Sequence, residues 1–350
     1  MAWIARAALE GGLKPHLITT DAARQSEEFA THLNDLVRDG SLVVENRPGL
    51  DTTAGLVEAL RSVRQTGSGV VIPEVDRLGS TLLYCAARAW LPNPTSIIFM
   101  RPPAPKLLEP RSLVVAAAKS AFIGLASLWP AVDVHLLEDP LATGAERAWR
   151  FPFSHGDSRL DDPIDLSAET DSDLLAELAE EIEDRPMVLL VGSIDARKRA
   201  DLVIESWREA NCAKFGSLVI AGRQKPDVTE SLRALGIDDM NNVVVIDRYL
   251  SHTEIASLIH RSKGVFILYD GGYASAIMST AAGMGRWAIA EVGSRTGRVA
   301  HAKGFGRLVT TNPVAIGGII DEVLSDPTTP NPVSINKPTE FGRQILRRFF

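Results

Sequence analysis

Short apolar runs alternate with amphipathic helical stretches along almost the whole chain, and that alternation constrains the fold more than any other feature. It is the pattern of βαβ units, in which parallel strands are joined by crossover helices. In the first half "HLIT", "SLVVEN", "GVVIPE", "TSIIFMR" and "VDVHLLED" read as strands, separated by helical stretches such as "AGLVEALRSVRQ" and "STLLYCAARAWL". The second half is more regular. Strand-like "PMVLLVGSI", "GSLVIAG", "NVVVIDRYL", "GVFILYD", "WAIAEV" and "GRLVTT" alternate with helical "RADLVIESWREAN", "VTESLRALG", "SHTEIASLIHRS" and "VAIGGIIDEVLSD". In open sheets of this kind, ligands sit beyond the carboxyl ends of the strands, so the loops leaving strands are where chemistry is sought.

With 350 residues, 45% of them hydrophobic, the chain can fill two domains of medium size. An acidic stretch, "HGDSRLDDPIDLSAETDSDLLAELAEEIEDRP", reads as a connector plus an exposed helix. It places the boundary near 160–185, giving a first domain at 1–165, a second at 166–335 and a terminal helix at 336–350. The net charge of −7 argues against nucleic acid as a partner. Cys85 and Cys212, the two cysteines, are far apart and suit a reducing cytoplasm rather than a disulfide framework or zinc site. The most apolar stretch is broken by Lys119 and Pro130, and "MAWIARAALEGG" lacks the layout of a signal peptide.

Among the candidate chemical groups, "VGSIDARKRADLVIESW" comes first. A buried strand ends at Gly192, and a short loop including Ser193 then delivers Arg197, Lys198 and Arg199 to the start of a helix. Cations there oppose the helix dipole, which favours anions. A negatively charged ligand such as a diphosphate would explain them; the alternative is a solvated surface run. Next is "LYDGGYASAIMSTAAGMGRWAIA", where Gly271, Gly272 and Ser275 precede a helix of small residues starting Ala276-Ile277. Free amides at a helix start, with small residues allowing close approach, can hold phosphate. Ser275 could equally be a helix cap and nothing more.

Taken together, these blocks resemble the C-terminal domain of GT-B glycosyltransferases of family 4. Val191-Gly192, Arg197-Lys198 and Asp201-Leu202-Val203-Ile204 stand like that family's strand, loop, basic pair and helix. "LVIAGRQ", "NVVVIDRYLSHTEIASLIHRSKGVFILY" and "GMGRWAIAEVGSRTGRV" follow in the family's order, over roughly 186–315. The resemblance implies an α/β chain of GT-B type, two Rossmann-like parallel-sheet domains facing across a cleft. It implies transfer of a sugar from a UDP or GDP donor with retention of configuration, to a sugar or lipid-linked acceptor, with no metal and no other cofactor. Lys198 and Arg197 would neutralise the diphosphate, aided by amides from Gly272 to Ile277, and Arg248 would lie near the base. On the acceptor side, Arg101 ends a strand that the family topology aims at the cleft, to hold an acceptor or phosphate or else to pair with a nearby carboxylate, and Asp76 and Arg77 either line the cleft or pair together.

This sequence departs from the family pattern in two respects. The two glutamates of the donor-loop motif fall on Gly272 and Thr280, so both carboxylates are absent. The chain also opens directly on "AWIARAALEGGLKPHLIT", which resembles the family's first helix and second strand, so the first strand and its Gly-rich turn are expected to be missing. Both departures support a second reading, a catalytically impaired GT-B-like binding or regulatory protein. A nucleotide-sugar epimerase is a third. "DDPID" lies in the acidic connector and reads as solvated, and the seven histidines show no metal-ligand spacing. At the end, "NKPTEFGRQILRRFF" reads as a helix returning to the first domain and burying its aromatics. Its alternative is a membrane-surface helix with Arg343, Arg347 and Arg348 on lipid head groups, at the inner face of the membrane.

Overall fold

The computed structural model describes residues 2–50, 52–72, 91–99, 110–126, 128–138, 141, 159–161, 174–176, 178, 182, 185–240, 242–269, 275–335 and 338–350. The chain divides into two compact units. One comprises 1–139, 144–163 and 336–350; the other comprises 140–143 and 164–335.

The first unit holds two parallel sheets. β1 (His16–Thr19) and β2 (Val43–Asn46) form a pair, while β3 (Val70–Ile72), β4 (Thr95–Phe99), β5 (Val132–Glu138) and β6 (Arg159–Asp161) form a four-stranded sheet in that order. Alternation along these strands sorts residues onto two faces. Ile72, Ile97, Val132 and Val134 pack under the helices Thr53–Gln65 and Pro110–Ala126, with Leu56, Leu60, Phe122 and Ile123. On the other face Val71 and Ile98 pack with Ile4, Ala7 and Ala8 of the helix Ala2–Glu10 and with Ile345 and Leu346 of the helix Pro338–Leu346.

The last helix is held to that face by specific contacts. Ser96 Oγ donates to the Ile345 carbonyl at 2.8 Å. Asp133, only 4% exposed, receives Arg348 Nε at 2.9 Å and Arg347 at 3.3 Å. The apolar face of this helix is therefore used inside the unit and is not left for a membrane. Phe350 departs from the expectation of burial: it is 61% exposed, because its ring edge rests on Gly11 at the solvent end of the first helix. Among the described residues, no helix is long and apolar enough to cross a membrane.

Two parts of the supposed connector are structured. Arg159–Asp161 is an edge strand paired in parallel with β5. Leu174, Leu178 and Ile182, four residues apart, are buried in the core of the second unit. Their spacing places them on one helical face, which the acidic composition of the stretch obscured.

The second unit is built on a six-stranded, all-parallel sheet. Its strands are β7 (Met187–Val191), β8 (Ser217–Ala221), β9 (Val243–Ile246), β10 (Gly264–Ile267), β11 (Trp287–Glu291) and β12 (Gly306–Val309). Their spatial order is β12-β11-β10-β7-β8-β9. β7, β8 and β10 are buried along their whole length, as expected of central parallel strands covered on both faces. One cover holds Trp207, Ile204 and Val203 with Ile316 and Ile320; the other holds Leu258, Ile259, Met278 and Ala281.

One buried group gives the first unit a pH dependence. His135, on the β5 face beside Asp133, is 1% exposed, and its ring nitrogens have no hydrogen-bond partner among the described residues. Burial pulls its pKa down to about 4, with Asp133 opposing and Arg347 and Arg348 reinforcing the shift. The folded form holds this ring neutral, so its contribution is complete above the ordinary value of 6.5 and is lost as pH falls towards 4. In urea unfolding between pH 7 and pH 4, His135→Leu is expected to flatten the decline by roughly 3 kcal/mol; an unchanged pH profile would show that the ring is not held neutral.

Candidate functional site

The six-stranded sheet reverses direction between two strands. From β7 the chain steps outward to β8 and β9, then returns to β10 on the other side of β7 and steps outward to β11 and β12. At such a reversal neighbouring crossovers diverge, leaving a crevice beyond the carboxyl ends of the two middle strands. The loops leaving β7 and β10 carry the two stretches singled out in the sequence.

After β7 the chain turns at Gly192, φ +100°, a conformation that side chains disfavour. A Cβ there would also lie 3.2 Å from Lys198 Nζ and 3.8 Å from Ile277 Cγ1. Asp195 then caps a 3-10 turn, Ala196–Lys198, by accepting from the Arg197 amide at 3.1 Å. That turn separates the three consecutive cations. Lys198 points inward, is 8% exposed, and donates from Nζ to the Val191 carbonyl at 2.7 Å. Arg197 points outward, 77% exposed, and binds Asp195 Oδ2 at 2.6 Å. Arg199 takes the left-handed conformation, φ 54°, before the helix Ala200–Glu209. For a residue with a Cβ this costs roughly 1–2 kcal/mol.

Burial lowers the Lys198 pKa to about 8, with Asp195 raising it and Arg197 lowering it further. The ammonium therefore remains mostly charged at neutral pH. Its Nζ lies 4.9 Å from the centroid of the Tyr269 ring, close enough for a cation–π attraction.

Tyr269 follows β10. Its hydroxyl lies 2.6 Å from Ser275 Oγ, and its carbonyl accepts from Thr296 Oγ1 at 3.2 Å. Ser275 caps the helix Ala276–Gly283, accepting from the Met278 amide at 3.3 Å. The first-turn amides of that helix, Ala276 and Ile277 among them, have no partner within it. Gly192, Lys198, Tyr269, Ser275 and Ile277 thus converge: an interior cation faces the start of a helix across a strand-order reversal. Such an arrangement can hold an anion, because cation, amides and helix dipole act in the same sense.

Other residues singled out in the sequence lie elsewhere or play other parts. Arg248 is tied to Glu254 at 2.5 Å, and Glu254 also completes the capping box of the helix His252–Arg261 with Ser251. Thr280 gives its hydroxyl to the Ala276 carbonyl at 2.9 Å, inside its own helix. Ser193 is exposed. Gly271, Gly272, Asp76 and Arg101 lie outside the described residues. Tyr269 was missed in the sequence because an aromatic residue at a strand end reads as core. Its place two residues before Gly271-Gly272 was the available signal. Among the described residues no group of three or more His, Cys, Asp or Glu could hold a metal ion.

No protein-family model matches the chain, and no curated protein matches it significantly. Solved structures do. The chain is similar over 98% of its length to sucrose-phosphate synthase from Thermosynechococcus elongatus, covering 86% of that chain at 15% identity and a TM-score of 0.61. The fold is GT-B. UDP-GlcNAc 2-epimerase from Methanocaldococcus jannaschii aligns over 99% of this chain and 95% of its own, at 12% identity and a TM-score of 0.62. The same epimerase solved with UDP-GlcNAc and UDP matches at a TM-score of 0.55 and 12% identity, with the same coverage. WaaG, a glycosyltransferase involved in lipopolysaccharide biosynthesis, aligns over 99% of this chain and 89% of its own, at 11% identity and a TM-score of 0.54.

The Arg199 conformation is testable by itself. Arg199→Gly is expected to raise the urea midpoint, worth roughly 0.5–1 kcal/mol, and Arg199→Val to lower it. The opposite ordering would mean that the left-handed conformation is not populated in solution.

Proposed function

We propose that the chain is a GT-B glycosyltransferase that binds the diphosphate of a nucleotide sugar at the β7–β10 reversal and transfers the sugar with retention, in the manner of family 4. One observation carries this reading. Lys198 is an interior cation opposite the Ser275-capped helix start, at the place where an open parallel sheet accepts ligands. Cleavage of the glycosyl–phosphate bond leaves negative charge on the departing nucleoside diphosphate. A fixed ammonium and amide donors stabilise that charge in the transition state, and removal of one such donor in acyl-transfer enzymes costs about 3–4 kcal/mol. The reading needs no metal to neutralise the diphosphate. UDP is the first nucleotide to test, given the UDP-sugar epimerase among the similar structures.

A second reading has a specific basis. Thr280, in place of a family glutamate, has no carboxylate to offer a ribose, and its hydroxyl is given to the Ala276 carbonyl of its own helix. A chain that binds nucleotide sugar without turning it over would behave in this way.

The two readings separate experimentally. Calorimetry with UDP and GDP is expected to show binding by the full chain, and at least a tenfold loss in Lys198→Ala. A well-folded protein that binds neither nucleotide would end both readings. Binding accompanied by slow release of an α-configured sugar from an α-linked UDP-sugar supports transfer with retention. Binding with no turnover supports the binding protein. As pH rises through about 8, Lys198 loses its proton, so UDP affinity is expected to fall over that range.

A further inference from the structure

The geometry points to Tyr269 as the positioning residue that joins the two halves of the diphosphate site, its ring seating the Lys198 ammonium and its hydroxyl fixing the Ser275 cap. This rests on the nucleotide-sugar reading above. The two halves come from different loops, one after β7 and one after β10, and Tyr269 touches both. Its ring centroid is 4.9 Å from Lys198 Nζ, while its hydroxyl is 2.6 Å from Ser275 Oγ. The residue is itself anchored, its carbonyl accepting from Thr296 Oγ1 and that threonine hydroxyl lying 3.1 Å from Ser294 Oγ.

The chemistry of each contact gives it a direction. Lys198 is interior, with one ammonium proton given to the Val191 carbonyl. Burial disfavours such a charge; Asp195 favours it and Arg197 opposes it, and the π-face of Tyr269 offsets a further part of the penalty without neutralising the charge. The ammonium thus stays available to an arriving anion. On the other side, Ser275 Oγ already accepts from the Met278 amide. When the Tyr269 hydroxyl donates to its remaining acceptor position, the serine proton is left as a donor beside the first-turn amides. Burial holds the Tyr269 pKa above the ordinary value, against the lowering by Ser275 and Arg197, so the phenol keeps the proton this role requires.

The two contacts can be separated by substitution. Tyr269→Phe keeps the ring and removes the hydroxyl; Tyr269→Leu removes both. The full chain and both variants are titrated with UDP by calorimetry from pH 6.5 to 9.5, and the Lys198 side chain is followed by NMR in 13C-lysine-labelled protein without ligand. In Tyr269→Leu the Lys198 titration, and with it the fall in UDP affinity, is expected to move down by roughly 0.5–1.5 pH units. In Tyr269→Phe the titration stays in place, and UDP affinity drops about three- to tenfold at every pH. A Lys198 titration at the same pH in Tyr269→Leu as in the parent overturns the ring's role. UDP affinity unchanged in Tyr269→Phe overturns the hydroxyl's role, and this arm stands even if Tyr269→Leu does not fold. A parent chain that is folded but binds no UDP removes the nucleotide reading and this inference together. A parent that binds, loses binding in Lys198→Ala and is indifferent to both Tyr269 variants removes this inference alone.

Discussion

An all-parallel sheet buried on both faces cannot end its strands freely; each must leave through a loop at one edge of the sheet and return through a helix. In the second unit this requirement, with the order β12-β11-β10-β7-β8-β9, places the exits of β7 and β10 side by side with their helices diverging. Everything proposed for the site depends on that reversal. The close packing of the loops follows from it: Gly222, after β8, passes so near Gly192 that a Cβ would lie 2.2 Å from the Gly192 carbonyl oxygen. The parallel bridge between Ile194 and Gln224 then holds the loops after β7 and β8 in register. Lys198 is turned inward by a short 3-10 turn on this framework rather than by the helix that follows.

An interior ammonium is costly. Lowering a lysine from 10.5 to about 8 corresponds to roughly 3 kcal/mol of stability given up at neutral pH. That cost is what remains after the favourable charge of Asp195, whose carboxylate is shared with the turn and with Arg197. A site that stores an under-compensated cation is suited to gain energy when a diphosphate arrives. The same fragment explains why the three consecutive cations differ. Arg197 is satisfied at the surface, Arg199 spends its backbone on a strained link, and Lys198 alone faces the crevice.

Much of the fold could be read in the sequence, because long apolar strands and amphipathic helices leave strong periodic signals. β7 and β8, buried end to end, were the clearest. The short strand Arg159–Asp161 was not legible, since three residues with two charges carry no period; it is paired in parallel with β5. Leu174, Leu178 and Ile182 were hidden in an acidic run whose composition, rather than spacing, dominated the reading. At the site, Gly192, Lys198 and Ser275 were singled out from glycine, charge and capping chemistry and Ile277 from the family resemblance, and the structure brings the four close together. Arg197, expected beside Lys198 at the diphosphate, turns outward instead, which no local pattern gives because a 3-10 turn and one left-handed residue decide it. The joining of the two halves by Tyr269 depends on tertiary placement, which no local pattern encodes.

The most direct test of the central claim is a crystal structure of the full chain with UDP. The diphosphate is expected at the β7–β10 reversal, with Lys198 Nζ and the amides of Ala276 and Ile277 within hydrogen-bonding distance of its oxygens and Tyr269 still against Lys198. UDP bound with its phosphates away from Lys198, or contacting β8 and β9 loops alone, would contradict it.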